Sequence, residues 1–207
     1  MGDMRGFLSL CALLLIGYGS SIGAQEAPPH AKYSADPWTL EQLLTLLKEG
    51  RESLIQFEEK TYSSLLTEPL VTRGVLRFLP PSTLEKEVLE PYLERYRIEG
   101  DQVSFESERK HVKKTVSLET YPALRSVVDA FRASLAGDAV RLKQTYTTVL
   151  DGDRRAWTLL LRPQDRAGQA MIEHILISGS EGRIATITVR AADGDRSVMK
   201  LSRGTPP

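Results

Sequence analysis

Apolar positions along this chain switch between two periods. From Thr39 to Gly50 the period is helical: Leu40, Leu43, Leu44 and Leu47 fall on one stripe. Thr39 followed three residues later by Gln42 reads as a capping box, and Gly50 reads as the stop. From Ser53 the period becomes two. Ile55 and Phe57 share a face, with Gln56, Glu58 and Lys60 opposite; Leu65 and Leu66 are expected to end that strand before the turn Thr67-Glu68-Pro69. In the stretch Gly74-Val75-Leu76-Arg77-Phe78-Leu79-Pro80-Pro81, Gly74, Leu76 and Phe78 share one face and Arg73, Val75 and Arg77 the other. The two prolines cannot donate a ladder hydrogen bond, so they stop the strand. A second extended run, Leu84 to Leu89, closes at Glu90-Pro91.

Tyr96 and Ile98, the turn Gly100-Asp101, then Val103 and Phe105 predict a hairpin, and Val112, Val116 and Leu118 one more strand. Tyr121-Pro122 opens a second predicted helix. Its apolar stripe is Leu124, Val127, Val128, Phe131 and Leu135, and Gly137 ends it. Beyond it the expected pattern is strands. Val140, Leu142, Tyr146 and Leu150 lead to a turn at Asp151-Gly152-Asp153, and Trp157, Leu159 and Leu161 lead to Pro163. Met171 to Ile177, Ile184 to Val189 and Ser197 to Leu201 follow, separated by Ser180-Glu181-Gly182 and Asp193-Gly194-Asp195. Two short helices against about ten antiparallel strands predict one α+β domain, spanning residues 38–207.

Residues 1–24 have a different character. Arg5, an apolar run from Phe7 to Ile16 and a small-residue end at Ser20, Ser21, Gly23 and Ala24 are laid out as a secretory leader, with cleavage expected after Ala24. The run is well short of the ~20 residues that span a bilayer. Gln25 to Pro37 reads as a flexible lead-in. The one cysteine, Cys11, would leave with the leader, which excludes a disulfide framework or a thiolate metal site. Basic and acidic residues balance at 27 each, so nothing marks a nucleic-acid binder. The chain contains no asparagine and hence no N-glycosylation site. An exported chain without disulfides or sequons fits a bacterial periplasm.

Catalytic chemistry requires a converging nucleophile, base or metal. The sequence has no nucleophile elbow, zincin motif, phosphate loop or dinucleotide fingerprint. His30 lies in the lead-in, His174 alternates between Glu173 and Ile175 as a strand residue would, and His111 sits in the run Arg109-Lys110-His111-Val112-Lys113-Lys114. That run is either a solvated strand face or a site for an anionic headgroup. Asp151/Asp153 and Asp193/Asp195 each bracket a glycine, as hairpin turns do. No enzyme, cofactor or metal is expected.

An ordered set of motifs then carries a resemblance. It runs from the leucine-rich helix to a strand with Phe57 and Glu59, then Gly74-x-Leu76-x-Phe78 into Pro80-Pro81, and an extended run ending at Pro91. Trp157-x-Leu159-x-Leu161-x-Pro163, the turn from Gly179 to Ile184, and Asp193-Gly194-Asp195-Arg196-Ser197 complete it. The chain resembles the periplasmic outer-membrane lipoprotein carriers, the LolA-like proteins. The best-known carriers have a basic residue before the proline, which helps hold the lid; here Pro80 stands there, so the pattern resembles a divergent branch linked to export of other acylated products. The resemblance implies a half-open, strongly curved antiparallel sheet, an incomplete barrel with short helices covering its concave face. The alternating strands offer that face Phe57, Leu76, Phe78, Tyr96, Ile98, Tyr146, Trp157 and Leu159, and the helical stripe offers Leu124, Val128 and Phe131 as cover. The same rows are compatible with a plain closed core. The function implied is a monomeric carrier of acyl chains between an inner-membrane exporter and an outer-membrane acceptor. The other reading is a sensor or scaffold module that uses the fold to bind a protein.

Overall fold

A computed structural model describes residues 38–50, 54–79, 83–121, 125, 128, 129, 132 and 136–203. The leader and lead-in, Pro80 and Pro81, Pro122, and Leu124, Val127, Phe131 and Leu135 of the second stripe lie outside the described residues.

The capping box forms as expected. Thr39 Oγ1 accepts from the Gln42 backbone N–H at 3.3 Å, and Gln42 Oε1 accepts from the Thr39 N–H at 3.1 Å. It starts α1, Leu40–Glu49, whose four stripe leucines are all buried. Eleven strands follow: β1 Leu54–Tyr62, β2 Leu70–Leu79, β3 Thr83–Glu90, β4 Glu94–Glu99, β5 Gln102–Ser107, β6 Val112–Ser117, β7 Tyr146–Asp153, β8 Ala156–Pro163, β9 Ile172–Ser180, β10 Arg183–Ala191 and β11 Arg196–Arg203. They form one antiparallel sheet in the order β6-β5-β4-β3-β2-β1-β11-β10-β9-β8-β7. Consecutive strands are neighbours except β6 and β7, and β11 returns to pair with β1, which puts β1 at the centre. β6 and β7 remain at opposite ends of the order, so the sheet is not closed into a barrel.

Cross-strand partners share a face. Phe57 stands opposite Leu201 and Gly74, Leu76 opposite Lys86, Lys86 opposite Tyr96, and Tyr96 opposite Phe105. These residues define the inner face, and their apolar members belong to one buried cluster with α1. The outer face is a ladder of ion pairs. Arg77 and Arg95 donate to the two oxygens of Glu87 at 2.8 and 3.0 Å. The Arg77 hydrogen bond above all holds the Glu87 carboxyl below the usual carboxylate range, against the opposing effect of its partial burial.

Three close backbone approaches position these elements. A Cβ on Gly50 would lie 2.6 Å from the Gly182 carbonyl oxygen, and one on Gly182 would lie 2.4 Å from the Leu46 carbonyl oxygen, so the end of α1 rests directly on the β9–β10 turn. Gly74 sits where the β2–β3 register shifts, and a Cβ there would lie 1.9 Å from the Glu87 carbonyl oxygen. The obstacle is backbone, so the strands must part. Gly74→Ala is therefore expected to cost about 1–3 kcal/mol in urea unfolding.

Several expectations are corrected. Val140 and Leu142 are not on a strand: Asp138 caps a helix, α2, Ala139–Thr145, by accepting from the Arg141 N–H at 2.9 Å. Ala139 and Leu142 face inward at helical spacing, and Val140 is exposed. β1 ends at Tyr62, and Leu65 lies in the following turn as an exposed residue. β7 continues through Asp151-Gly152-Asp153. The turn is Arg154-Arg155, where Asp153 Oδ1 accepts from the Arg155 and Ala156 N–H groups at 2.7 and 3.1 Å. Gly152 serves close approach instead: its φ is +92°, and a Cβ would lie 2.1 Å from the Ala156 carbonyl oxygen. Leu118 begins a 3₁₀ turn after β6. A one-turn helix, α3, Arg166–Gln169, joins β8 to β9.

Candidate functional site: the inner face of the sheet

The nine described residues expected to line the concave face are all on its inner side or against it. Phe57, Leu76, Phe78, Tyr96 and Ile98 occupy β1 to β4. Tyr146, Trp157 and Leu159 occupy β7 and β8 at the other end of the strand order. Phe78 is half-buried, and the rest are buried. Leu124 and Phe131 lie outside the described residues. Tyr96 and Phe105 stack with ring centroids 4.8 Å apart.

Trp157 is held more firmly than the others. Its Nε1 donates to the Glu181 carbonyl at 3.0 Å, and its ring fills the space where a side chain on Gly179 would begin.

Val128 is fully buried, and it lies in a helical stretch that also includes Arg125, Asp129 and Arg132. The stretch is tied to its surroundings through polar groups near the surface. Arg132 Nη2 donates to the Gly100 carbonyl of the β4–β5 turn. Arg125 lies 3.9 Å from Asp101 of the same turn, and Arg141 of α2 donates to Asp129 at 3.4 Å. Such contacts are individually weak in water.

The inner face is not wholly apolar. Glu59 and Lys86 are buried at its centre, with Lys86 Nζ 2.6 Å from Glu59 Oε2. Ser197 of β11 donates its hydroxyl to Glu59 Oε1. The ammonium lies 5.0 Å from the centroid of the Phe57 ring and 6.0 Å from that of Tyr96. Tyr96 in turn donates to Glu94 at 3.1 Å, Ser107 donates to Glu94 at 3.2 Å, and Lys110 lies 3.9 Å from it at the surface. Polar groups thus lead from the buried pair to the β3–β4 end of the sheet. The strand pattern alone carried a signal for the pair. Glu59 falls two residues after Phe57, and Lys86 two after Leu84, both in inward-facing rows.

The other candidates resolve into surface structure. Arg109 stacks on Tyr92 at 3.9 Å, Lys113 pairs with Glu106 at 3.3 Å, and His111 takes a turn conformation with φ +50°. His174 contacts the neighbouring Glu173 carboxylate at 3.2 Å. Asp193 accepts from the Asp195 N–H within its turn at 3.1 Å. Among the described residues no three His, Cys, Asp or Glu side chains are grouped to hold a metal ion. A depression of about 440 Å³ on the outer face, around Arg73, has a mixed lining that includes Glu58, Glu90, Lys200, Val75 and Leu89, with Arg73 bridging Glu58 and Glu90.

Residues 33–204 match the family model for outer membrane lipoprotein carrier protein LolA-like. The chain belongs to this family. Among solved structures, this LolA-like chain is similar to a LolA superfamily protein from Nitrosomonas europaea, with 14% identity, TM-score 0.42, and 81% of this chain and 95% of that one covered. It is also similar to a putative outer membrane lipoprotein-sorting protein domain from Vibrio parahaemolyticus, with 9% identity, TM-score 0.41, and 80% and 92% covered. A third similar structure is a DUF1329 family protein from Desulfovibrio piger, with 8% identity, TM-score 0.41, and 79% and 90% covered. No match is found among curated proteins. Among the described residues no helix is long and apolar enough to cross a membrane.

Proposed function

We infer that this LolA-like chain is a periplasmic carrier that shields the acyl chains of a lipoprotein or another acylated product between the inner and outer membranes. The observation that carries the reading is the inner face itself. A family member matched over residues 33–204 has buried apolar residues along the inner face of an unclosed sheet, interrupted by one buried ion pair, under helical segments held partly by surface ion pairs. Phe57, Leu76, Phe78, Tyr96 and Ile98 line one side, Tyr146, Trp157 and Leu159 the other, and the stretch with Leu124, Val128 and Phe131 is the cover. The leader is cleaved after Ala24, and the chain works as a monomer without cofactor or turnover.

Burying one CH₂ is worth ~0.8 kcal/mol, so a chain of about 15 carbons leaves water with ~12 kcal/mol of driving force. Water alone does not release such a cargo. Loading requires the cover to swing away, and unloading requires an acceptor that binds the chains better. An inner-membrane exporter and an outer-membrane acceptor supply direction.

Mass spectrometry of solvent extracts from natively purified protein is expected to find acyl-bearing species. Val128→Asp tests the cover. A carboxylate on that buried position is strongly disfavoured unless it reaches water. A hinged cover swings out, so the variant is expected to stay folded by circular dichroism yet lose retention of a fluorescent fatty acid. A folded variant with unchanged affinity, or an unfolded one, removes the cover assignment and favours a scaffold that binds a protein partner.

A further inference from the structure

We propose that the buried Glu59–Lys86 pair is a polar subsite of the inner face that takes an uncharged group offering one hydrogen-bond acceptor and one donor, and that its ligand is therefore the amide of an N-acyl chain. The inference rests on the carrier reading and specifies its cargo.

A buried ion pair is by itself weak evidence of stabilisation. Replacing a buried ion pair by apolar side chains of similar volume is often neutral or stabilising. The rest of the central inner face is apolar, and Phe57, Leu76 and Tyr96 surround the two charges. Glu59 stands on β1 at the centre of the strand order and Lys86 on β3, two strands away, with apolar rows on either side to hold a chain.

Charge selects the ligand. The pair sums to zero. A carboxylate inserted between its members would leave a net buried negative charge, and an amine a net positive one, both costly in this environment. An amide leaves the sum at zero: its carbonyl accepts from Lys86 Nζ and its N–H donates to Glu59 Oε2. Ser197 keeps Glu59 Oε1 in place, so only the oxygen now facing Lys86 exchanges partners. An ester accepts from Lys86 but leaves Glu59 Oε2 without a donor, and that unmet atom is penalised. The Phe57 and Tyr96 rings continue to face the ammonium. The Tyr96–Glu94–Ser107 contacts provide polar stops along the way from the β3–β4 end of the sheet.

The test uses the full mature chain, freed of lipid, with an uncharged acyl-chain dye as reporter. N-methylpalmitamide, methyl palmitate and palmitate compete for it. The amide is expected to displace the dye at concentrations about tenfold lower than either competitor. In the Glu59→Leu/Lys86→Met double variant the dye still binds and the three competitors converge to within about twofold. Equal competition in the wild-type chain, a preference for palmitate, or an amide preference that survives in the double variant overturns the subsite. So does a double variant that does not fold, since the pair is then structural. Failure of the dye and of all three competitors to bind the wild-type chain removes the carrier reading itself, and the subsite with it. Native cargo provides an independent arm. Protease treatment before solvent extraction separates an N-acylated peptide from a small N-acylated lipid, and either supports the subsite. Recovery of ester-linked or free-acid chains alone overturns it.

Discussion

Lys86→Met is expected to lower stability by about 3–5 kcal/mol in denaturant unfolding. The methionine fills most of the lysine volume, so the loss is electrostatic. Glu59 would keep the Ser197 hydroxyl but lose the ammonium 2.6 Å away, and it is buried. The cation–π contacts with Phe57 and Tyr96 disappear together with the charge. Glu59→Leu removes the carboxylate beside the buried ammonium. The informative quantity is the coupling. Because each single change removes one charge of the pair and leaves the other buried, and the double change leaves neither, Glu59→Leu/Lys86→Met is expected to recover most of the loss, so that the effects are far from additive. A double variant as unstable as the sum of the singles would show that the two side chains act through separate contacts.

Trp157→Ala is expected to cost a further-reaching ~3–5 kcal/mol, the range for emptying a buried aromatic site. Three constraints meet at this ring. It is buried on β8, its Nε1 donates to the Glu181 carbonyl at 3.0 Å, and its edge occupies the space over Gly179. Relaxation into the void is limited because the neighbouring β9–β10 turn is itself fixed by contact of Gly182 with α1. Trp157→Phe keeps most of the volume and loses the hydrogen bond, and should cost only about 1 kcal/mol. If Trp157→Ala were nearly neutral in thermal unfolding, the residue would be resting loosely on an open cavity.

The two predictions divide the inner face. Trp157 is pinned by backbone of β9 and of the β9–β10 turn, so it acts as wall. Phe57 lies beside the buried ion pair and Tyr96 faces Lys86, on the β1–β4 side where the proposed subsite lies. The helical stretch with Val128 touches this side through the β4–β5 turn, by way of Arg132 and Arg125.

Much of this molecule is written in local pattern. Thr39, Gln42 and Gly50 mark the ends of α1 because caps are made by residues three apart in the chain. Period-two rows at Phe57, Leu76, Tyr96 and Leu159 identify the strands and their buried faces, because side chains on a strand alternate by geometry alone. Where local signals conflict, sequence misleads. Val140 and Leu142 alternate as in a strand, yet the Asp138 cap starts a helix there. Asp151-Gly152-Asp153 has turn composition, yet Gly152 is used for backbone approach to Ala156. Only the tertiary structure decided that β11 returns to β1, that Gly182 receives the end of α1, and that Glu59, Lys86 and Ser197 meet. Those three are separated by 27 and 138 residues along the chain. No window of sequence contains them, because hydrogen-bonded strand order rather than chain order brings them together.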